Sequence, residues 1–124
     1  SSLIQKNYPY LVVDYCIDGN ATICISDAIL REYLEVLRRP KFAKFNDFRT
    51  NAEFLITRLS DISETYEPKN ALNIIGDEPD NRLLELADIS EADFIITGNK
   101  NDFTMLTHNE TRIVTPKEYW QEFK

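Results

Sequence analysis

The chain has 124 residues, which is enough for one compact domain, and we expect residues 1–124 to form a single domain. Hydrophobic residues make up 43% of it, which excludes a disordered protein, and no apolar run approaches the ~20 residues that a membrane-spanning helix needs. The net charge of −7 disfavours nucleic-acid binding through a broad basic surface, so a nucleic-acid substrate would require a local basic patch and a metal ion.

Histidine and cysteine usage narrows the possible chemistry. The single histidine, His108, excludes paired-histidine acid–base catalysis and any multi-histidine zinc site. Neither a nucleophile elbow nor a glycine-rich phosphate loop is present. Cys16 and Cys24 lie apart in apolar stretches, which indicates reduced, buried thiols and a cytoplasmic location. Chemistry based on carboxylates and a metal ion remains open.

The first half of the chain predicts two helices around a short strand. Pro9 begins a helix over residues 8–17, and the turn at residues 18–20 ends it. Residues 22–25 predict a short buried strand, after which Ser26 caps a second helix that runs to about Arg38. The predicted core stripe of this helix consists of Leu30, Tyr33, Leu34 and Leu37.

The second half alternates helices with strands. A helix starts near Asn46, a short strand is one interpretation of residues 63–66, and another helix starts at Asp80 after Pro79. Strands at residues 94–97 and 112–114 come next, and Pro116 begins a final helix. The alternation predicts an α/β class with a mostly parallel sheet. The apolar period of the helix from Asn46 comes from Phe48, Ala52, Leu55, Ile56 and Leu59.

An acidic residue and a polar segment are predicted to meet at one edge of this sheet. Asp80 lies on the apolar side of its helix, one turn before Leu84, and therefore points toward the sheet. The strand at residues 94–97 is apolar without alternation, as expected when both of its faces are covered, and it ends in polar residues. Because ligands of open α/β sheets bind at the carboxyl ends of strands, Asp80 and residues 99–102 predict a divalent-cation site.

Each of these candidate site residues also has a simpler explanation. Asp80 is explained equally by a helix N-cap role, and Thr97, Asn99 and Asp102 by the formation of a turn. Glu32 lies beside its helix's core stripe, where a solvated acid is the alternative to a functional one. The functional interpretation of Glu32 is favoured because its helix directly follows the carboxyl end of a strand.

The densest basic cluster lies at the end of the same helix, and it is the candidate contact for a polynucleotide phosphate. Its alternative role is to complement the negative end of the helix dipole. The cluster consists of Arg38, Arg39, Lys41 and Lys44.

The order and spacing of four segments resemble the PIN-domain family, in particular its VapC-like members, the toxins of toxin–antitoxin pairs. These segments are residues 25–42, 77–87, 92–99 and 113–119, and the resemblance covers essentially the whole chain. It implies a three-layer α/β/α fold with a mostly parallel sheet. It also implies a metal-dependent endoribonuclease whose acids bind Mg²⁺ or Mn²⁺, with RNA as substrate and an antitoxin protein as partner.

The resemblance also assigns roles to individual residues. Glu32 matches the second acid of the family and Asp80 matches the third. At the fourth position Asn99 stands where many members have Asp, so Asp102 is favoured as the ligand, with Asn99 and Thr97 assisting.

The start of the chain departs from the family, whose first strand ends in Asp-Thr-Asn. Here the sequence begins Ser1-Ser2-Leu3-Ile4, which resembles the segment after that motif, so we expect the first strand and the first acid to be absent. The chain as given is then expected to bind metal poorly and to pair its exposed strands with another copy in a homo-oligomer.

Two other functions remain as alternatives to the ribonuclease toxin. A catalytically silent PIN-like module that binds RNA or protein is favoured by the missing first acid and by Asn99. A phosphoacceptor receiver domain would need adjacent acids after its first strand and a late lysine, to which Lys100 is a loose match.

Overall fold

A computed structural model describes residues 7–40 and 46–124 of the chain. A 3₁₀ turn over Lys100–Asp102 and a π-helical turn over Tyr119–Phe123 supplement the regular helices and strands. This mixture of helices and strands confirms the predicted α/β class. In chain order the elements are α1 (Tyr8–Ile17), β1 (Cys24–Ser26), α2 (Asp27–Leu37), α3 (Asn46–Ile62), β2 (Glu64–Tyr66), α4 (Glu78–Ser90), β3 (Phe94–Ile96), β4 (Thr107–His108), β5 (Thr111–Val114) and α5 (Pro116–Glu118).

Local signals in the sequence set several of the helix ends. Ser26 Oγ accepts the backbone N–H of Ile29 at 3.3 Å, which confirms Ser26 as the N-cap of α2. Gly19 follows α1 with a φ of 85°, a left-handed conformation that glycine adopts without steric cost. The start of α4 was predicted wrongly. This helix begins at Glu78, because Asp77 and not Asp80 caps it.

The strands within the described ranges form two separate sheets instead of one continuous sheet. In the first, β1 pairs with β2 in parallel, with Ile25 opposite Thr65. In the second, β5 lies in the middle, parallel to β3 and antiparallel to β4, with Ile95 opposite Ile113. Helix α4 contacts β1, β2 and β3, so it packs against both sheets. The carboxyl ends of β3 and β5 lie at the same edge because the two strands are parallel.

The hydrophobic core has two parts. The larger cluster centres on Leu84 of α4 and Ile113 of β5, which are 0% and 1% exposed. The smaller cluster joins Val12 of α1 to Val114 and Tyr119 near the end of the chain. Because α4 supplies side chains to the larger cluster, the same helix that packs against both sheets also anchors the core. The other buried members of the larger cluster are Ile75, Ala87, Ile95 and Phe103.

Several predicted core positions are more exposed than expected. Tyr33 was assigned to the core stripe of α2, but it is 48% exposed because it lines an open cavity beside α4. Leu55 of α3 is 42% exposed. The last residue of β3, Ile96, is 37% exposed, so the prediction that both faces of this strand are covered was wrong there. The side chains of Leu37 and Phe48 lie outside what the structure describes.

Cys16 and Cys24 are free thiols, as predicted, but each is half-buried instead of fully buried. Burial raises the pKa of both thiols. Among the residues that the structure describes, no helix combines the length and apolar character that crossing a membrane requires.

Candidate functional site

Asp80 lies in the first turn of α4, in the position that the cap of this helix gives it. Asp77 Oδ1 accepts the Asp80 N–H at 3.1 Å, and Pro79 occupies one of the first two helical positions. Asp80 itself is half-buried, and its Oδ2 is a buried atom without a hydrogen-bond partner. A buried carboxylate oxygen without a hydrogen-bond partner is energetically costly. The described residues do not supply a partner for this oxygen of Asp80.

The charges around Asp80 add to this cost. Burial raises the pKa of the Asp80 carboxyl, and the neighbouring carboxylates of Asp77 and Asp102 raise it further. Asp102 lies in the turn after β3, so its effect on Asp80 places the start of α4 and the end of β3 within electrostatic reach of each other. A cation bound between these carboxylates would act in the opposite direction and lower the pKa of Asp80.

Glu32 reaches the same region from α2. Glu32 and Asp80 both line an open cavity of about 480 Å³ between α2, α3 and α4. The side chain of Glu32 is half-buried. Two acids from different helices thus share one cavity whose remaining wall is mostly apolar. The other lining residues are Ala28, Ile29, Tyr33, Val36, Ile56, Pro79, Arg82 and Leu83.

The polar segment after β3 is a compact turn. Thr97 Oγ1 accepts the Asn99 N–H at 3.0 Å, and the backbone N–H of Asp102 donates to the Asn99 carbonyl at 2.9 Å. The side chains of Asn99 and Asp102 are exposed. Thr97 and Asn99 therefore have a visible role in shaping the turn, which leaves the exposed Asp102 carboxylate available to a ligand.

The acids meet in pairs and not as one cluster. Glu32 and Asp80 share the cavity, and Asp80 and Asp102 interact through their charges. Within residues 7–40 and 46–124, no three His, Cys, Asp or Glu side chains stand close enough together to hold a metal ion as a group.

The basic cluster is only partly visible. Arg38 is the C-cap of α2, and both its side chain and that of Arg39 are exposed. Lys41 and Lys44 lie outside the described residues. His108 lies on β4, where its Nε2 is 3.0 Å from Asp88 Oδ1, near the opposite end of α4 from Asp80.

Two features that support the site were not found from the sequence. Buried Asn81 accepts the N–H groups of Ile74 and Ile75 at 3.1 Å each and donates to the Ile75 carbonyl at 2.8 Å, which fixes the segment leading into α4. Lys100 Nζ lies 3.0 Å from both carboxylate oxygens of Glu118. The Thr-Pro-x-Glu pattern identifies Glu118 as a capping residue, but no sequence signal identifies its lysine partner.

Comparisons with known proteins show to which family the chain belongs. Residues 1–101 match the family described as PIN domain. The chain is also 28% identical, over 133 aligned residues, to an uncharacterized protein of Methanocaldococcus jannaschii, and the match covers 100% of this chain and 85% of the relative. No solved structure matches the chain. The family match extends over most of the chain, from before α1 to the turn after β3, and so includes every candidate acid but Asp102. The chain therefore belongs to the PIN-domain family.

Proposed function

We propose that the protein is a metal-dependent endoribonuclease that acts on single-stranded RNA. PIN domains are commonly nucleases, and this family membership supports the general class. The observation that carries the proposal for this chain is Asp80, a half-buried acid with an orphaned oxygen and two like-charged neighbours. Perturbed acids in a cavity are typical of functional sites.

The Asp80 carboxylate fits a divalent cation such as Mg²⁺ or Mn²⁺. The orphaned Oδ2 of Asp80 lacks a positive partner, and hard cations prefer carboxylate oxygens. In this proposal Asp80 is the central ligand, Glu32 joins it across the shared cavity, and Asp102 joins it from the turn after β3, with Asn99 assisting. The described residues bring these acids together in pairs, so the ion itself would have to draw the three into one site. When bound, such an ion activates a water molecule and neutralises charge on the phosphate.

The chain's own residues have separate tasks in this proposal. The Asp77 cap and the Asn81 hydrogen bonds orient the first turn of α4, and the open cavity leaves Glu32 and Asp80 accessible to a ligand. Arg38 and Arg39, together with Lys41, would contact the RNA backbone, which compensates locally for the net charge of −7.

Substitution of Asp80 tests the proposal directly. We expect Asp80→Asn in the native protein to reduce Mg²⁺- or Mn²⁺-dependent cleavage of single-stranded RNA by more than ~100-fold. The loss of groups that merely orient metal ligands already costs about 10- to 100-fold. Asp77→Asn is the matched control, because it removes a neighbouring charge while Asn still caps the helix. Cleavage without a metal ion, or an unaffected Asp80→Asn protein, would contradict the proposal.

A toxin role, restrained by an antitoxin protein in the cytoplasm, extends the proposal. It rests on the resemblance in segment order and on the apolar surface of α3, where Phe54 is 71% and Ile62 46% exposed. Exposed apolar residues on one helix are typical of a protein interface, with an antitoxin or with a second copy in a homo-oligomer. The two free thiols are consistent with a reducing compartment.

A second candidate function is a catalytically silent module that binds RNA or protein. The observation that favours it is that the described residues contain no group of three potential metal ligands. A Mn²⁺ titration by calorimetry separates the two candidates. Saturable binding that Asp80→Asn abolishes supports the nuclease, whereas no binding near physiological concentrations supports the silent module.

A further inference from the structure

The turn that carries Asp102 is held at three points. At its start Thr97 Oγ1 accepts the Asn99 N–H, and at its end Phe103 is 6% exposed within the larger core cluster. Between them Lys100 begins the turn and reaches across to Glu118 beyond β5. The first two contacts are local or apolar, so the ion pair is the polar link that ties the middle of the turn to another element.

Glu118 is a well-fixed anchor for this lysine. Its Oε1 accepts the N–H of Thr115 at 2.9 Å, while Thr115 Oγ1 accepts the N–H of Glu118 at 3.1 Å, which completes a capping box. The Thr115 N–H and the Lys100 ammonium hold the pKa of the Glu118 carboxyl below its usual value. Glu118 therefore presents an ionised carboxylate in a position that the start of α5 determines.

The ion pair also joins the two chain segments that leave the sheet after β3 and after β5. The last backbone hydrogen bond between the two strands runs from the Thr97 N–H to the Val114 carbonyl at 2.9 Å. Beyond it one chain segment leads to Lys100 and the other to Glu118. The two side chains of the pair are 27% and 34% exposed, so the pair is partly accessible to solvent.

We propose that Lys100 and Glu118 form a clasp of positioning residues that holds the turn carrying Asp102 within reach of Asp80. This inference rests on the proposed function, in which Asp102 and Asp80 bind one cation. The clasp preorganises the turn, so that metal binding does not have to order it. In this proposal the two clasp residues act on the turn and are not themselves ligands of the cation.

Glu118→Gln is the most selective test variant. Glutamine serves in capping boxes as glutamate does, so the start of α5 is kept while the charge that pairs with Lys100 is lost. In the metal-free protein we expect the N–H groups of Asp102 and Phe103 to exchange with deuterium about two- to fivefold faster, the range set by exposed or partly exposed ion pairs. Mn²⁺ affinity is expected to fall by the same factor, since the exchange rate and the affinity both depend on how well the turn is ordered before metal binds.

A double-mutant cycle distinguishes positioning from a general loss of stability. In the background of Asp102→Asn, Glu118→Gln is expected to cause no further loss of Mn²⁺ affinity, because the ligand that the clasp positions is already gone. Additive losses would overturn the proposal, as would unchanged hydrogen exchange at Asp102 and Phe103. If the native protein binds no Mn²⁺, the proposed function fails, while the exchange measurement still decides whether the clasp holds the turn.

Substitutions at two lysines provide a control and separate the effect of charge from the effect of packing. Lys117→Gln removes an exposed charge next to Glu118 and is expected to leave both readouts unchanged. Lys100→Arg keeps the charge and is expected to retain most of the exchange protection that Lys100→Met loses. Equal loss in Lys100→Arg and Lys100→Met would show that packing and not the ion pair holds the turn, and would overturn the clasp.

Discussion

At the scale of single residues, Asp80 stands out because its surroundings oppose its charge. Its carboxyl is half-buried, one oxygen has no hydrogen-bond partner, and Asp77 and Asp102 add negative charge nearby. Folding retains this arrangement although each feature raises the free energy of the ionised side chain. Such a cost at a cavity wall is the usual sign that a residue serves binding or catalysis.

Asp80→Asn is therefore expected to raise the free energy of unfolding at neutral pH even though it removes activity. The pKa of Asp80 is raised in the folded state, so the folded protein binds a proton more tightly there than the unfolded chain does. The resulting destabilisation is absent below the unfolded-state pKa, grows up to the folded-state pKa and is constant above it. Urea denaturation from about pH 3 to about pH 7 measures this dependence.

The control for this experiment is Asp61→Asn, which makes the same chemical change at an exposed position of α3. We expect the stability gain of Asp80→Asn to disappear at the acidic end of the range. A variant that is less stable than the native protein at neutral pH would mean that the Asp80 carboxylate has a stabilising partner.

At the scale of elements, helix α4 organises the candidate site. Its first turn carries Asp80, the adjacent Asn81 fixes the preceding segment, and Leu84 anchors the helix in the core. Glu85 is buried as well, accepting the Leu72 N–H at 2.8 Å and pairing with Arg82 at 2.7 Å. The position of Asp80 therefore depends on where α4 begins and on how its first turn is fixed.

The cap of α4 can be tested by comparing two substitutions at Asp77. We expect Asp77→Ala to be less stable than Asp77→Asn by about 1 kcal/mol, because both remove the charge but only Asn still accepts the Asp80 N–H. Urea denaturation at neutral pH gives the difference. Equal stability of the two variants would show that the side chain at position 77 does not stabilise the helix as a cap.

At the scale of the whole molecule, the described strands form two sheets, and α4 contacts both of them. Leu84 of α4 is packed with Ile95 and Ile113 of one sheet and with Phe103 at the end of the Asp102 turn. The larger core cluster therefore connects α4, which carries Asp80, with the turn that carries Asp102, and its loss is expected to affect the site as well as the stability.

Leu84→Ala tests this connection. We expect it to lower the free energy of unfolding by about 3 kcal/mol, since the site is fully buried and truncation leaves a cavity. Leu106→Ala, at a residue that is 70% exposed, is the control and is expected to change it by less than about 0.5 kcal/mol. A small effect of Leu84→Ala in thermal or urea denaturation would mean that the core closes around the gap.

The order of helices and strands, apart from β4, could be predicted because it depends on local patterns. Residues 107–110 were predicted as a loop, whereas Thr107–His108 form the short strand β4. Pro9, Ser26 and Pro116 mark helix starts through backbone geometry and capping, which act within a few residues. Exposure could not be predicted in the same way. Tyr33 fits the apolar period of α2 and is nevertheless 48% exposed, because a periodic stripe does not reveal whether another element covers it.

By itself, the sequence determined the α/β class, the places of most helices and strands, and the candidate acids Glu32, Asp80 and Asp102. These come from periodicity, from capping residues and from resemblance to a family, all of which can be read along the chain. Only the tertiary structure decided that the described strands divide into two sheets and that Lys100 pairs with Glu118. Such features depend on which side chains meet across distant parts of the chain, and no local pattern encodes that meeting.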